Sequence, residues 1–142
     1  MTIKPETIKI KLAKLEEVVN LLERYRQYAE KDFINNPTLS GAAKYNLILG
    51  IEIIVDIGNH FLSEVYGAHP GEYREIIEML GEHEIIPKEF SKENIDMAKF
   101  RNLLIHEYIK VDEEKVYNNL QKAPDIFRNF AKYYLEFLEK IE

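Results

Sequence analysis

Four side chains suited to chemistry lie within a largely apolar helical stretch, FRNLLIHEYIKVD at positions 100–112. They are Arg101, Asn102, His106 and Tyr108. Such a set suits cleavage of RNA, which needs a proton taken from the 2′-hydroxyl, a proton given to the 5′-oxygen and a counter-charge for the phosphorane. Imidazole titrates near neutral pH and serves in either proton role, while a guanidinium keeps its charge and matches phosphate oxygens. We expect Asn102 to orient the imidazole and Tyr108 to contact phosphate or a base, and this chemistry requires no metal.

The spacing of these residues on a helix decides which of them converge. Asn102 and His106 are four residues apart and therefore share a face. Arg101 and His106 are five apart, which places them about 140° from one another around an ideal helix. These two meet only through a local distortion, the reach of the arginine or a second copy of the helix. A two-fold dimer supplies that second copy, because it brings the same patch of both chains together.

A second polar set lies on an upstream apolar stretch. Glu52, Asp56 and Asn59 recur at steps of four and three residues, and His60 adjoins them. A solvated outer face is the simplest interpretation of such a stripe, and a wall of a polar cleft or subunit interface is the alternative. We expect Glu52 and Asp56 to orient or neutralise Arg101 in a dimer. For His60 a structural role is favoured over a place in the same cleft, because it has no evident partner.

Helical periodicity dominates the first half of the chain. Apolar residues at three- and four-residue steps predict a first helix over about 6–34. The segment NNPTLSG, with Ser40 and Gly41 as capping residues, predicts a turn before a second helix that runs to about Tyr66. A short third helix is expected to end at Gly81.

The second half continues the pattern. Ser91 is a plausible N-cap for a fourth helix over about 92–109, and Asp112 for a fifth. Pro124 is expected to kink or divide that fifth helix, because proline lacks an N–H and crowds the preceding turn. The predicted fold is therefore all-α, an up-down helical bundle of four long helices plus one short helix.

Length and composition limit the class of protein. The 142 residues predict a single domain over 1–142. Cysteine is absent and the histidines show no metal-ligand spacing, so thiolate catalysis is excluded and neither a metal nor another cofactor is predicted. No uninterrupted apolar run approaches the roughly 18 residues of a membrane span, and we expect a cytoplasmic protein with no membrane association. The net charge of −6 argues against unspecific binding of nucleic acid over the whole surface.

The signature FRNLLIHEYIKVD resembles that of the HEPN superfamily, an Arg, a polar residue, three variable residues and a His. The tyrosine two residues further on is similar to the form found in HepT-like toxins, which are encoded beside minimal nucleotidyltransferase antitoxins. Flanking segments resemble the same family, and with them the likeness covers about positions 40–120. They are IEIIVDIGNHF, GEHEIIPKEFSKENIDMAKF and KVDEEKVY.

The resemblance implies a HEPN-like homodimer whose two signature helices line a shared cleft, and a metal-independent ribonuclease that acts as a toxin. It implies that Arg101 and His106 are the catalytic pair, with Asn102 as the polar position between them. It further implies that a cognate nucleotidyltransferase antitoxin silences the toxin by transferring AMP to Tyr108. The alternative is a non-catalytic helical module that binds a nucleotide or a nucleotidyltransferase, which the acidic net charge slightly favours. The intact Arg-Asn-x3-His pattern favours the ribonuclease.

Overall fold

A computed structural model describes residues 3–106 and 109–142 of the chain. These residues form seven helices and no strand, which confirms the all-α fold. The helices are α1 Pro5–Tyr25, α2 Glu30–Ile34, α3 Pro37–Tyr66, α4 Tyr73–Glu82, α5 Lys88–Glu93, α6 Met97–His106 and α7 Glu113–Ile141. Only α1, α3 and α7 are long, so the bundle has three long helices rather than the four predicted.

The first predicted helix is two helices in the structure. The chain leaves α1 after Tyr25 through tight turns, and α2 then places Phe33 in the core with no exposed surface. A tertiary contact accompanies the break: Arg26, at the end of α1, donates from Nη1 to Gln121 O on α7 at 3.0 Å. The apolar periodicity of the sequence continues through the break because α1 and α2 each bury an apolar face.

Helix α3 is the central helix and contacts α1, α2, α4, α6 and α7. It begins at Pro37, where Asn36 accepts a hydrogen bond from the Leu39 N–H at 3.1 Å, so Ser40 and Gly41 lie inside the helix rather than capping it. Its predicted end at Tyr66 is confirmed, with Gly67 in the left-handed conformation (φ 63°) that a helix C-terminus commonly needs. Gly50 allows α7 close to α3, because a Cβ there would lie 2.3 Å from Phe127 Cε2.

By length and composition alone, α3 would suffice to cross a membrane. Half of its most apolar window is buried inside the bundle, where Leu47, Ile51 and Ile54 contact other helices of the core. Core helices of soluble proteins meet the same criterion, so the apolar character of α3 is accounted for by its central position.

The fourth predicted helix is also divided. Ser91 lies within α5, and its hydroxyl donates to Ile77 O at 2.7 Å instead of capping a helix. Asn94 ends α5 and its side chain donates to Phe90 O at 2.8 Å, after which the chain enters α6. A separate α6 can therefore take its own direction across α3 and α4.

Helix α7 follows its predicted N-cap, since Asp112 Oδ1 accepts the Glu114 N–H at 3.0 Å. The predicted division at Pro124 is wrong, because α7 is continuous from Glu113 to Ile141. The N–H that Pro124 lacks would have bonded to the Leu120 carbonyl, whereas Arg26 of α1 donates to the next carbonyl, Gln121 O. Pro124 is buried together with Leu120, Ala123 and Phe127, so packing on the core accompanies the continuity of α7.

Candidate active site on helix α6

Helix α6 exposes one polar face beside its apolar contacts. Phe100 and Leu104 are buried against the core, while Asn102 and His106 are exposed on the opposite side. Arg101 lies between these faces, with only 20% of its side chain exposed. The packing of α6 on α3 and α4 therefore separates an anchored arginine from a solvent-facing histidine.

The Arg101 guanidinium is held by a carboxylate of α3. Nε donates to Glu52 Oε1 at 2.7 Å, and Nη2 lies 2.5 Å from the same oxygen. The remaining nitrogen, Nη1, donates to Asn102 Oδ1 at 3.0 Å. The guanidinium is thus fixed at three nitrogens, which restricts its orientation while its positive charge is kept.

Tyr73, the first residue of α4, completes this arrangement. Its hydroxyl donates to Glu52 Oε2 at 2.5 Å, and its ring lies under the guanidinium, with Arg101 Cζ 4.6 Å from the ring centroid. Burial and the Glu52 carboxylate raise the pKa of Tyr73 above its ordinary value, so the phenol remains a protonated donor near neutral pH. Glu52 accordingly has both carboxylate oxygens engaged, one by arginine and one by tyrosine. We call Arg101, Glu52 and Tyr73 the arginine clamp.

The clamp contains one residue that the sequence did not single out. Tyr73 is 21 residues from Glu52 along the chain and 28 from Arg101, so no helical periodicity relates the three positions. Only the packing of α4 and α6 on α3 brings them together. Glu52, by contrast, was expected to orient Arg101, and its contact with Arg101 lies within one chain rather than between two.

The rest of the predicted polar stripe does not join the clamp. Asp56 pairs with Lys11 of α1, with Nζ and Oδ2 2.5 Å apart, instead of with Arg101. Asn59 is exposed and His60 is half-buried, and neither forms a hydrogen bond to another described residue. The stripe thus divides into one clamp residue and a largely solvated remainder.

His106 and Tyr108 are the remaining predicted positions of the signature. His106, at the last position of α6, forms no hydrogen bond with Arg101 or Asn102 in the described chain, and Asn102 contacts the arginine rather than the imidazole. Arg101 and His106 therefore do not converge within one chain. Their five-residue spacing predicted this separation. Tyr108 lies outside the described residues.

No group of three or more metal-ligating side chains suited to hold a metal ion occurs in residues 3–106 and 109–142. The chemistry that this site offers comes from a fixed guanidinium and an accessible imidazole on one helix.

Comparison with known proteins agrees with this arrangement. A sequence model of the family described as Ribonuclease HepT-like matches residues 15–134, most of the chain. The chain belongs to the HepT-like ribonuclease family. The resemblance seen in the signature and its flanking segments is thereby confirmed, and the HepT-like match reaches further, into the first helix and most of the last.

Two relatives align over nearly the whole chain. A protein of Archaeoglobus fulgidus proposed to be an RNase is 28% identical over 128 residues, which cover 90% of this chain and 95% of the relative. The tRNA nuclease HepT of Aphanizomenon flos-aquae is 23% identical over 142 residues, with 97% of each chain covered.

A solved structure shares the fold. The tri-AMPylated HEPN toxin of Shewanella oneidensis, in complex with MNT antitoxin, superposes with a TM-score of 0.83 at 21% identity. The match covers 98% of this chain and all of that one. The helical arrangement described above is therefore the HEPN fold.

Proposed function

We propose that this HepT-like protein is a metal-independent endoribonuclease that cleaves RNA with Arg101 and His106. The observation that carries the proposal is the arginine clamp: Glu52 and Tyr73 hold the Arg101 guanidinium on the helix that also presents an exposed His106. A guanidinium fixed in this way is prepared to meet the negative charge of a phosphorane without reorganising. The family membership and the nuclease relatives support the same assignment.

In this mechanism each residue has a distinct role. The His106 imidazole takes or gives the proton at the 2′- or 5′-oxygen, and Arg101 stabilises the phosphorane. Asn102 holds Nη1 of the arginine through its Oδ1 and so helps to position the charge. The attack of the 2′-oxygen on phosphorus breaks the bond to the 5′-oxygen, and the products carry a 2′,3′-cyclic phosphate and a 5′-hydroxyl.

The active form that we propose is a homodimer. Arg101 and His106 lie about 140° apart around α6, so their side chains leave a single helix in different directions. A two-fold axis beside α6 would bring the arginine of one protomer and the histidine of its partner to one cleft. This arrangement explains why a fixed arginine and an exposed histidine occur on one helix without touching.

We further propose that the protein is a toxin regulated by a nucleotidyltransferase antitoxin. The Shewanella HEPN toxin is tri-AMPylated and bound to MNT antitoxin, which supports a partner of this kind. AMP on Tyr108, two residues after His106, would add a phosphate and a nucleotide beside the catalytic pair. That group would block RNA sterically and would occupy the positive charge of Arg101. We place the toxin, its antitoxin and its RNA substrate in the cytoplasm.

The alternative function is a module that binds a nucleotide or a partner protein without cleaving RNA. Incubation of the purified protein with total cellular RNA in EDTA separates the two. Wild type is expected to release fragments with 2′,3′-cyclic phosphate ends, His106→Ala to release none and Arg101→Ala very few, with all three proteins equally folded by circular dichroism. Absence of cleavage by dimeric wild type free of AMP by mass spectrometry would favour the binding module.

A further inference from the structure

A cavity of about 470 Å³ opens between the start of α4 and the outer side of α6. Its lining includes Tyr73 and Arg74 from α4 and Ala98, Lys99 and Asn102 from α6. Tyr73 belongs to the arginine clamp and Asn102 is hydrogen-bonded to Arg101, so the cavity adjoins the clamp. Its volume falls in the range of about 300–1,000 Å³ that small-molecule sites occupy. We call it the α4–α6 cavity.

One stripe of α6 connects this cavity to the catalytic histidine. Lys99, Asn102 and His106 follow one another at steps of three and four residues, and all three are exposed. Lys99 and His106 are therefore separated by about 10.5 Å along the helix axis, at about 1.5 Å per residue. That distance equals about three stacked nucleotide steps of about 3.4 Å each. A stacked strand with its cleaved phosphate near His106 would thus place the phosphate about three nucleotides away near Lys99.

The charges of the cavity suit a phosphate. Lys99 forms no ion pair or hydrogen bond with another residue in the described part of the chain. Arg74 is bound to Glu78, with Nε 2.8 Å from Oε1, but 60% of its side chain remains exposed. Glu72 contributes one opposing carboxylate to the lining. With Glu78 paired to Arg74, the two cations face two acids, and Lys99 is the lining cation that has no partner among the described residues.

Asn102 can add a contact to a base. Its Oδ1 is taken by Arg101 Nη1 at 3.0 Å, whereas its Nδ2 donates to no described residue. A free amide donor at the cavity edge can reach an acceptor on a base or sugar of an unpaired strand.

We propose that the α4–α6 cavity is a subsite for a nucleotide of single-stranded RNA about three steps from the cleaved phosphodiester, with Lys99 on its phosphate. The subsite rests on the proposed ribonuclease function and extends it to substrate binding. It gives the acidic protein a local, shaped contact with RNA in place of an extended basic surface.

The test measures binding of a fluorescent single-stranded RNA to the His106→Ala protein, in which the RNA stays intact, over a series of salt concentrations. Adding Lys99→Met is expected to weaken binding about five-fold at low salt and to reduce the slope of log K against log salt by about 0.7, the value for one lost phosphate contact. Lys99→Arg should restore both. Lys31→Met is the matched control, because Lys31 is an exposed lysine on α2, which packs on α3 and α7 only.

A second variant tests the cavity rather than the charge. Ala98 is buried in the cavity wall with 4% exposure, and Ala98→Met should fill part of the space. Affinity is expected to fall while the salt slope stays unchanged, provided that thermal melting shows an intact fold. Lys99 is exposed, so its substitution should not disturb the fold. The lysine variants therefore still test the proposal if Ala98→Met does not fold.

Cleavage by wild type, assayed in parallel, separates this proposal from the function on which it rests. One outcome is that wild type cleaves RNA while Lys99→Met changes the slope of log K against log salt no more than Lys31→Met does. That result would overturn the subsite and leave the nuclease assignment intact. A slope change specific to Lys99, without cleavage by dimeric wild type that is free of AMP, would support RNA binding at the cavity and overturn the nuclease assignment. Failure of the His106→Ala protein to bind RNA at any salt concentration would overturn the subsite.

Discussion

The Arg101 guanidinium of α6 is joined to Glu52 of α3 at two nitrogens, with Nε 2.7 Å and Nη2 2.5 Å from the same oxygen, Oε1. An arginine bound on two sides to a carboxylate keeps its charge but loses rotational freedom. Because an unpaired charge at this depth would be costly, Glu52 also makes it possible for the arginine to lie half-buried on an otherwise apolar helix. The pair therefore links the stability of the α3–α6 contact to the geometry of the site.

Glu52→Gln is expected to lower kcat for RNA cleavage by about 10- to 100-fold, since a displacement of about 1 Å in a positioned group is worth up to about 100-fold. Affinity for RNA in the His106→Ala background should not fall, because the substitution removes a negative charge. Single-turnover kinetics and RNA titration measure the two quantities. Asp56→Asn is the matched control, one turn away on α3 but paired with Lys11. Equal losses in both variants would contradict a specific role for Glu52.

Tyr73 is expected to act on the rate through the same arginine. Tyr73→Phe removes the hydrogen bond to Glu52 but keeps the ring under the guanidinium, whereas Tyr73→Leu also removes a cation–π contact of about 0.5–2 kcal/mol. We therefore expect kcat to decrease from wild type to Tyr73→Phe and again to Tyr73→Leu. Tyr45→Leu, at a tyrosine that is 64% exposed on α3, should leave kcat unchanged. Wild-type kcat in Tyr73→Leu would exclude a positioning role.

The site shows what spacing along a chain can and cannot predict. Arg101, Asn102 and His106 were identified from their positions within one helix, and Glu52 from a polar stripe within another. Tyr73 was missed because its role depends on how α4 packs across two other helices. Local periodicity records which face a residue occupies, but it contains no information on which distant segment meets that face.

The fold shows the same limit at its breaks. The Asp112 cap was predicted correctly because the motif is local, whereas Ser40 and Ser91 lie inside helices and Asn36 caps α3 instead. The break after Tyr25 and the continuity of α7 through Pro124 were not predicted, since both occur where distant segments pack together. Arg26 at the break reaches the Gln121 carbonyl of α7, and Pro124 is buried in the core.

Tyr108 is the expected acceptor of AMP. With ATP and a cognate nucleotidyltransferase, wild type should gain adenylyl mass and lose nuclease activity, while Tyr108→Phe should gain none at this position. Tyr117→Phe is the matched control, because the Tyr117 hydroxyl donates to Tyr28 O at 2.7 Å and its ring packs on Phe33. Peptide mass spectrometry locates the modification. Undiminished labelling of Tyr108→Phe would identify another acceptor, and Tyr117 would then be tested first.

Two glycines of α3 are expected to respond to alanine with opposite signs. At Gly50 a Cβ would lie 2.3 Å from Phe127 Cε2, and we expect Gly50→Ala to reduce the free energy of unfolding by about 1–3 kcal/mol through overpacking. At Gly41 no atom lies within 4 Å of the added Cβ. Gly41→Ala should therefore raise the free energy of unfolding by about 0.5–1 kcal/mol through helix propensity. Urea unfolding measures both. Stabilisation by Gly50→Ala would mean that α3 and α7 separate readily.

Acid should weaken the junction between α1 and α7. The hydrogen bond from Arg128 and the charge of Arg26 lower the pKa of Glu23, and the hydrogen bond and charge of Arg26 lower the pKa of Asp125. A carboxyl with a lowered folded-state pKa stabilises the protein fully above its unfolded value, which is about 4.3 for Glu and about 3.9 for Asp.

The free energy of unfolding should therefore fall as the pH decreases from about 5 through the lowered folded-state pKa values. Glu23→Gln with Asp125→Asn should make the protein less stable at pH 7 and reduce the loss on acidification. Urea unfolding between pH 7 and pH 3 measures this, with Glu139→Gln on the exposed side of α7 as the control for a lost surface carboxylate. An equal loss on acidification in the double variant and the wild type would mean that other carboxylates carry the pH dependence. Since Arg26 also contacts the Gln121 carbonyl beside Pro124, the acid-weakened state should open first where α1 ends against α7.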